Sequence, residues 1–253
     1  MRIVVCIKAV KSEFVYSNDN SNEGFVINPY DLYALEKCIE FKKETKCTII
    51  CICMGTMKAE GIMIKALAMG ADEVILLNDE AFIGSDTIST SYVLSKAIRK
   101  ISNVDIVVFG EKSIDGATGQ VAFGVGERLK YFVLNRVEKF ESLEDKYVVV
   151  MQNDDDNMTK IRFKMPCIVS FNDFVLYHPN IRLIALKRAR QRKITIWGAA
   201  EIQADISKCG IKGSKTKVLN IENGFNKKEN KVIDGTIANK AGLILDIIEG
   251  KKI

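Results

Sequence analysis

The sequence predicts an α/β protein: a doubly wound parallel sheet with an antiparallel extension and a C-terminal arm. Three observations predict it. Short apolar runs alternate with helical segments through the first half of the 253 residues. A glycine-rich turn, Gly110-Glu111-Lys112-Ser113-Ile114-Asp115-Gly116-Ala117-Thr118-Gly119-Gln120, separates one apolar run from the helix after it. The second half changes to strand-like runs joined by turn residues and then becomes polar.

Ile3–Ile7 reads as the first strand. Tyr30–Glu44 reads as a helix with Leu32, Leu35, Cys38 and Ile39 on one face; Pro29 sits near its start, where its missing N–H leaves no bond unmade. Cys47–Cys53 is largely apolar, as expected of a strand buried on both faces. Lys58–Met69 is a second helix stopped by Gly70, and Val74–Leu77 is a third strand. Thr87–Lys100 is a third helix with Asp86 as its N-cap. Val104–Phe109 is a fourth strand, followed by the glycine turn and a helix over Val121–Leu129. This order is that of a parallel, Rossmann-like sheet with helices on both faces.

Val133–Phe140, Tyr147–Gln152 and Lys160–Phe163 read as antiparallel strands. Asn153-Asp154-Asp155-Asp156-Asn157 lies between two of them and reads as a solvated hairpin tip rather than a metal site. Cys167–Phe171 returns as an apolar strand. The α/β domain with its extension is assigned to residues 1–197. Beyond Trp197 apolar residues are sparse until Ile237–Ile248. Lys208, Lys212, Lys215 and Lys217 with Gly210 and Gly213 cannot build a core, so 198–253 reads as an arm that packs on another subunit.

Composition narrows the function classes. A 47% hydrophobic fraction with only three prolines supports a folded core. No apolar run approaches the length of a membrane span, and the N-terminal apolar run is too short for a signal peptide. Seven scattered cysteines, an odd number, fit reduced thiols and a cytoplasmic location. Cys51-Ile52-Cys53 has no partner pair at zinc spacing, and the single histidine, His178, has no assembled triad. No metal and no catalytic acid–base residue is therefore expected. The six basic residues Arg182, Lys187, Arg188, Arg190, Arg192 and Lys193 have no aromatic interleaved, so no nucleic acid is expected. A solvated helix face and a protein-docking element remain for this segment.

In such sheets ligands sit beyond the carboxyl ends of the strands. Lys8–Ser12, Met54–Thr56, Asn78–Asp86 and Gly110–Gln120 leave those ends. The Gly110–Gln120 turn opens a helix, so its N–H groups and the helix dipole suit a phosphate. The plain alternative is an ordinary loop.

Several segments then fall into one order: Ile3-Val4-Val5-Cys6-Ile7-Lys8, Ile27-Asn28-Pro29-Tyr30-Asp31, Ala66-Leu67-Ala68-Met69-Gly70-Ala71-Asp72-Glu73, Asp86-Thr87-Ile88-Ser89-Thr90-Ser91-Tyr92, Ile114-Asp115-Gly116-Ala117-Thr118-Gly119-Gln120-Val121 and Gly210-Ile211-Lys212-Gly213-Ser214-Lys215-Thr216-Lys217-Val218. With them the chain resembles the β subunit of electron transfer flavoproteins. The resemblance implies a subunit of a flavin-bearing αβ heterodimer that binds an adenine nucleotide. That nucleotide is AMP in the housekeeping branch and FAD in the electron-bifurcating branch. The compact turn and Asp86–Ser91 resemble the bifurcating pattern, which favours FAD. Ala117 stands where that pattern has an acidic residue, Gly119 where it has alanine, and Lys8-Ala9-Val10-Lys11-Ser12 lacks the family's usual proline. Leu176-Tyr177-His178-Pro179 stands in place of the Asn-Glu-Pro-Arg signature.

The resemblance implies phosphate contacts at Thr118, Gly119, Gln120 and Val121, with plain capping as the other reading of Thr118. Asp115 either accepts from a ribose hydroxyl or caps the turn. Asn28 either meets the adenine edge or caps the helix after it. Ala9 offers backbone groups to the adenine, and Met54 leaves the second strand beside it. Asp86, Thr87 and Thr90 either face the flavin or ribityl chain or open their helix. Leu183, Leu186, Lys187 and Arg188 stand where the family docks a flavin-containing dehydrogenase. The partners implied are the α subunit, that dehydrogenase, and ferredoxin or flavodoxin and NADH.

Overall fold

A computed structural model describes residues 1–15, 24–154, 157–176, 179–216 and 234–248. The first elements are β1 (Arg2–Cys6), β2 (Ala9–Lys11), β3 (Phe25–Ile27), α1 (Pro29–Glu44), β4 (Thr48–Met54), α2 (Glu60–Met69) and β5 (Glu73–Leu77). Next come α3 (Thr87–Ile101), β6 (Ile106–Gly110), α4 (Val121–Leu129), β7 (Phe132–Glu144), β8 (Tyr147–Asp154), β9 (Asn157–Lys164) and β10 (Cys167–Phe171). The last are α5 (Leu183–Ala189), β11 (Thr195–Trp197), α6 (Gly210–Gly213) and α7 (Ile237–Ile248).

Nine strands form one sheet in the order β11-β5-β4-β1-β6-β10-β7-β8-β9. Pairing is parallel from β11 to β7 and antiparallel from β7 to β9. The expected α/β class and antiparallel extension are both present, and the extension continues the main sheet because β10 inserts between β6 and β7. β2 and β3 pair as a separate antiparallel ribbon. These two strands and β11 have three residues each, too few for a period to be legible in sequence.

The strand period of two divides the core into two layers. Ile3, Val5, Cys51 and Val108 face Leu35, Cys38 and Met63. Val4, Ile50 and Val107 face Val93, Leu94, Ile98 and Val125. All seven cysteines are buried free thiols.

The boundary read after Trp197 is not where the chain divides. The compact units are Met1–Lys217 and Val218–Ile253. Residues 198–216 belong to the α/β body, where Ala199, Ile202 and Cys209 are buried. Gly210 makes this packing possible: its φ is +53°, and an added Cβ would stand 2.3 Å from the Ala81 carbonyl oxygen. Three small or apolar side chains suffice because the rest of the segment is held by hydrogen bonds. Asp155, Asp156, His178 and residues 217–233 lie outside the described residues.

Candidate functional site

The chain runs outward from β1 through β4 to β5, then returns to place β6 on the other side of β1. Beyond the carboxyl ends of β1 and β6, at this reversal of strand order, lies a cleft of about 480 Å³. One wall is Cys6–Lys8 with Met54, and another is Phe109–Ser113 with Gly116 and Thr118–Ala122. Ser85, Asp86, Thr87, Thr90 and Thr216 also line it.

The glycine turn bends through two left-handed residues, Ala117 at φ +50° and Gly119 at φ +63°. The Ala117 N–H donates to the Ser113 carbonyl at 2.8 Å. Helix α4 then starts with Gln120 as its N-cap residue and no side-chain cap. Thr118 therefore does not cap the helix. The first-turn N–H groups of α4 have no side-chain acceptor and stand at the positive end of the helix dipole, on the cleft wall.

Asn28 lines the cleft and does not cap the helix after it. Its Nδ2 donates to the Lys112 carbonyl at 2.9 Å and its Oδ1 accepts the Ile114 N–H at 3.2 Å, so it pins the loop after β6. Asp31 beside it is 7% exposed. Its carboxylate accepts the Lys8 N–H at 2.9 Å and the Gly110 N–H at 3.1 Å, tying the ends of β1 and β6 together under the cleft. Burial pushes this carboxyl up to about 7, although the backbone N–H donors and Asn28 pull the other way. Gly110 has to be glycine here, since a Cβ would stand 2.5 Å from the Tyr30 carbonyl carbon.

Asp115 accepts from the Lys8 ammonium at 2.6 Å. Partial burial works against its charge, but the Lys8 and Ser113 bonds outweigh it and hold the carboxyl below its ordinary value. It thus links the turn to the end of β1. Asp86 caps α3 through the Ile88 and Ser89 N–H groups, both at 2.9 Å. Thr87, Thr90, Met54, Thr118, Gly119, Gln120 and Val121 all line the cleft, whereas Ala9 does not: it pairs with Ile27 in the small ribbon.

The residues expected to dock a dehydrogenase lie on α5. Leu183 is 83% exposed, Ile184 67%, and Lys187 and Arg188 are exposed, while Leu186 is half-buried. Buried Ala189 seats the helix. The guanidinium of Arg192 donates to the Ala71 carbonyl at 3.3 Å and to that of Asp72. Sequence reading missed Ile184 in this patch, and Asp31 and Thr216 in the cleft. Asp31 and Thr216 stand within the segments that carried the resemblance, yet no local pattern marks either as a cleft residue.

The electron transfer flavoprotein domain matches residues 19–201. The Caffeyl-CoA reductase-Etf complex subunit CarD of Acetobacterium woodii is 33% identical over 262 aligned positions, covering 100% of each chain. Protein FixA of Azorhizobium caulinodans is 33% identical over 235, covering 87% of this chain and 84% of its own. The electron transfer flavoprotein subunit beta of Clostridium acetobutylicum is 31% identical over 252, covering 97% and 96%. No described helix is long and apolar enough to cross a membrane. With its cleft at the reversal of strand order and its whole length matched by such relatives, the chain belongs to the electron transfer flavoprotein family, as a subunit of the β type.

Proposed function

We propose that this chain pairs with an α subunit, holds FAD in the cleft, and passes electrons between NADH or a flavoprotein dehydrogenase and other carriers, by flavin-based bifurcation. The observation that carries the reading is the shape of the cleft. Its lining takes in the uncapped first turn of α4, the start of α3, Thr216 and the ends of β1 and β6, more wall than a single phosphate can touch. A volume of about 480 Å³ lies in the range of cofactor sites. The similarity to CarD, a subunit of a caffeyl-CoA reductase-Etf complex, supports assembly with a dehydrogenase.

FAD, once bound, supplies the electron and hydride chemistry, so the chain needs no acid–base pair of its own. Amides at Thr118–Val121 hold the pyrophosphate, and the Thr118 hydroxyl adds a donor. Lys8 brings a positive charge to the same end, shared with Asp115. Asp31 ties the ends of β1 and β6 together and Asn28 pins the loop after β6, so this wall of the cleft keeps a fixed shape. Apolar Met54, Leu94 and Phe109 on the wall exclude water from the interior. The exposed Leu183 and Ile184, flanked by Lys187 and Arg188, are the dehydrogenase-docking patch, and the C-terminal unit from Val218 is the arm that packs on the α subunit.

Acid extraction and chromatography of the intact αβ protein test the reading. Two FAD per heterodimer, with reduction by NADH, are expected. One FAD and one AMP would overturn it in favour of a structural nucleotide and a docking role alone.

A further inference from the structure

Asp86 cannot take a ligand in the way its place on the wall suggests. Its Oδ1 accepts two N–H groups of α3. Its Oδ2 accepts the Lys215 N–H at 2.6 Å, the Thr216 N–H at 3.1 Å and the Thr216 hydroxyl at 3.4 Å. Five donors fill about four lone-pair sites. The Asp86 N–H in turn donates to Ser214 Oγ at 2.8 Å, and that hydroxyl lies 3.0 Å from the Gly84 carbonyl oxygen. Residues 214–216 are thereby bound to the start of α3, and Thr216 is held on the cleft wall.

The Lys215 and Thr216 N–H groups make the shorter contacts to Oδ2, so the Thr216 hydroxyl at 3.4 Å is only a weak donor to it, and the hydroxyl's own lone pairs are left to accept. A phosphate brings no proton to this corner and meets the negative charge of Asp86. A sugar or polyol hydroxyl brings the proton required. The amides of the glycine turn, elsewhere on the same lining, have the opposite preference, for an anionic acceptor. The two groups therefore read different parts of one ligand.

We infer that Thr216 is a binding residue for a hydroxyl group of the nucleotide, that Asp86 is its positioning residue, and that the pair fixes which way the nucleotide lies. This rests on the nucleotide reading above. Its hydroxyl comes either from the ribityl chain of FAD or from an adenosine ribose.

The test uses the αβ complex stripped of nucleotide. FAD is titrated by flavin fluorescence, and AMP and inorganic pyrophosphate by calorimetry. Thr216→Val removes the hydroxyl at nearly constant shape and is expected to weaken FAD roughly three- to ten-fold, the value of one neutral hydrogen bond. Thr216→Ser restores it, and pyrophosphate binding stays unchanged. Loss for FAD alone assigns the ribityl chain; equal loss for AMP assigns the ribose. Asp86→Asn replaces an acceptor by a donor at Oδ2 or Oδ1 and is expected to match Thr216→Val for FAD. Unchanged FAD and AMP affinity in Thr216→Val overturns the binding role. Loss in Thr216→Val without loss in Asp86→Asn overturns the positioning role. A wild-type complex that takes AMP but not FAD defeats the FAD reading and leaves Thr216 to be judged by AMP.

Discussion

Raising the pH from about 5.5 to about 8.5 should destabilise the wild-type protein relative to Asp31→Asn, through one buried carboxyl. Asp31 has an ordinary value of 3.8 and is pushed up to about 7 in the fold. Between those values the folded state binds the extra proton, so stability falls as pH rises and stops falling once pH passes the folded value. Over this interval the unfolded carboxyl is already ionised and gains about 4 kcal/mol, at about 1.4 kcal/mol per pH unit. The folded carboxyl ionises only in the upper half and gains about 2 kcal/mol. The wild type therefore loses about 2 kcal/mol that the amide variant, which cannot ionise, retains. The variant keeps one acceptor for the Lys8 and Gly110 N–H groups, so its absolute stability is lower at acid pH while its slope is flatter. Urea unfolding followed by far-UV circular dichroism at both pH values measures the difference, in which every other titrating group cancels. Parallel pH dependence in the two proteins would refute the buried, proton-holding role of Asp31.

Three other outcomes are expected. Gly119→Pro asks for φ near −65° where the chain has +63°, and nucleotide content after purification should fall sharply; full retention would move the phosphate site elsewhere. Leu183→Glu alters a side chain that is 83% exposed, so unfolding should shift by no more than about 0.5 kcal/mol, while reduction by the partner dehydrogenase slows at least about ten-fold. An unchanged reduction rate would remove α5 from docking. Limited proteolysis should cut beyond Thr216 quickly in the isolated chain and slowly in the αβ complex, and equal rates would sink the packing of the C-terminal unit on the α subunit.

The sequence by itself determined the order of the longer elements, because that order is written in local periodicity, while β2, β3 and β11 are too short to leave a period. Apolar runs of about five residues, helices bounded by Pro29, Asp86 and Gly70, and the helix over Val121–Leu129 each follow from neighbours along the chain. It also located the glycine turn as a candidate phosphate site, since φ > 0 and a helix start are local properties. Tertiary structure alone decided which side chains share the cleft. Asn28 meets Lys112 and Ile114, Asp31 joins Lys8 to Gly110, and Asp86 reaches residues 215 and 216, all by bonds between positions far apart in sequence. No window of residues carries such pairings, because they arise only when parallel strands bring their carboxyl ends side by side. For the same reason 198–216 read as an arm: its apolar residues are too few to announce a core. Packing against α3 and three donors from Lys215 and Thr216 at the Asp86 carboxylate hold it in the body nonetheless.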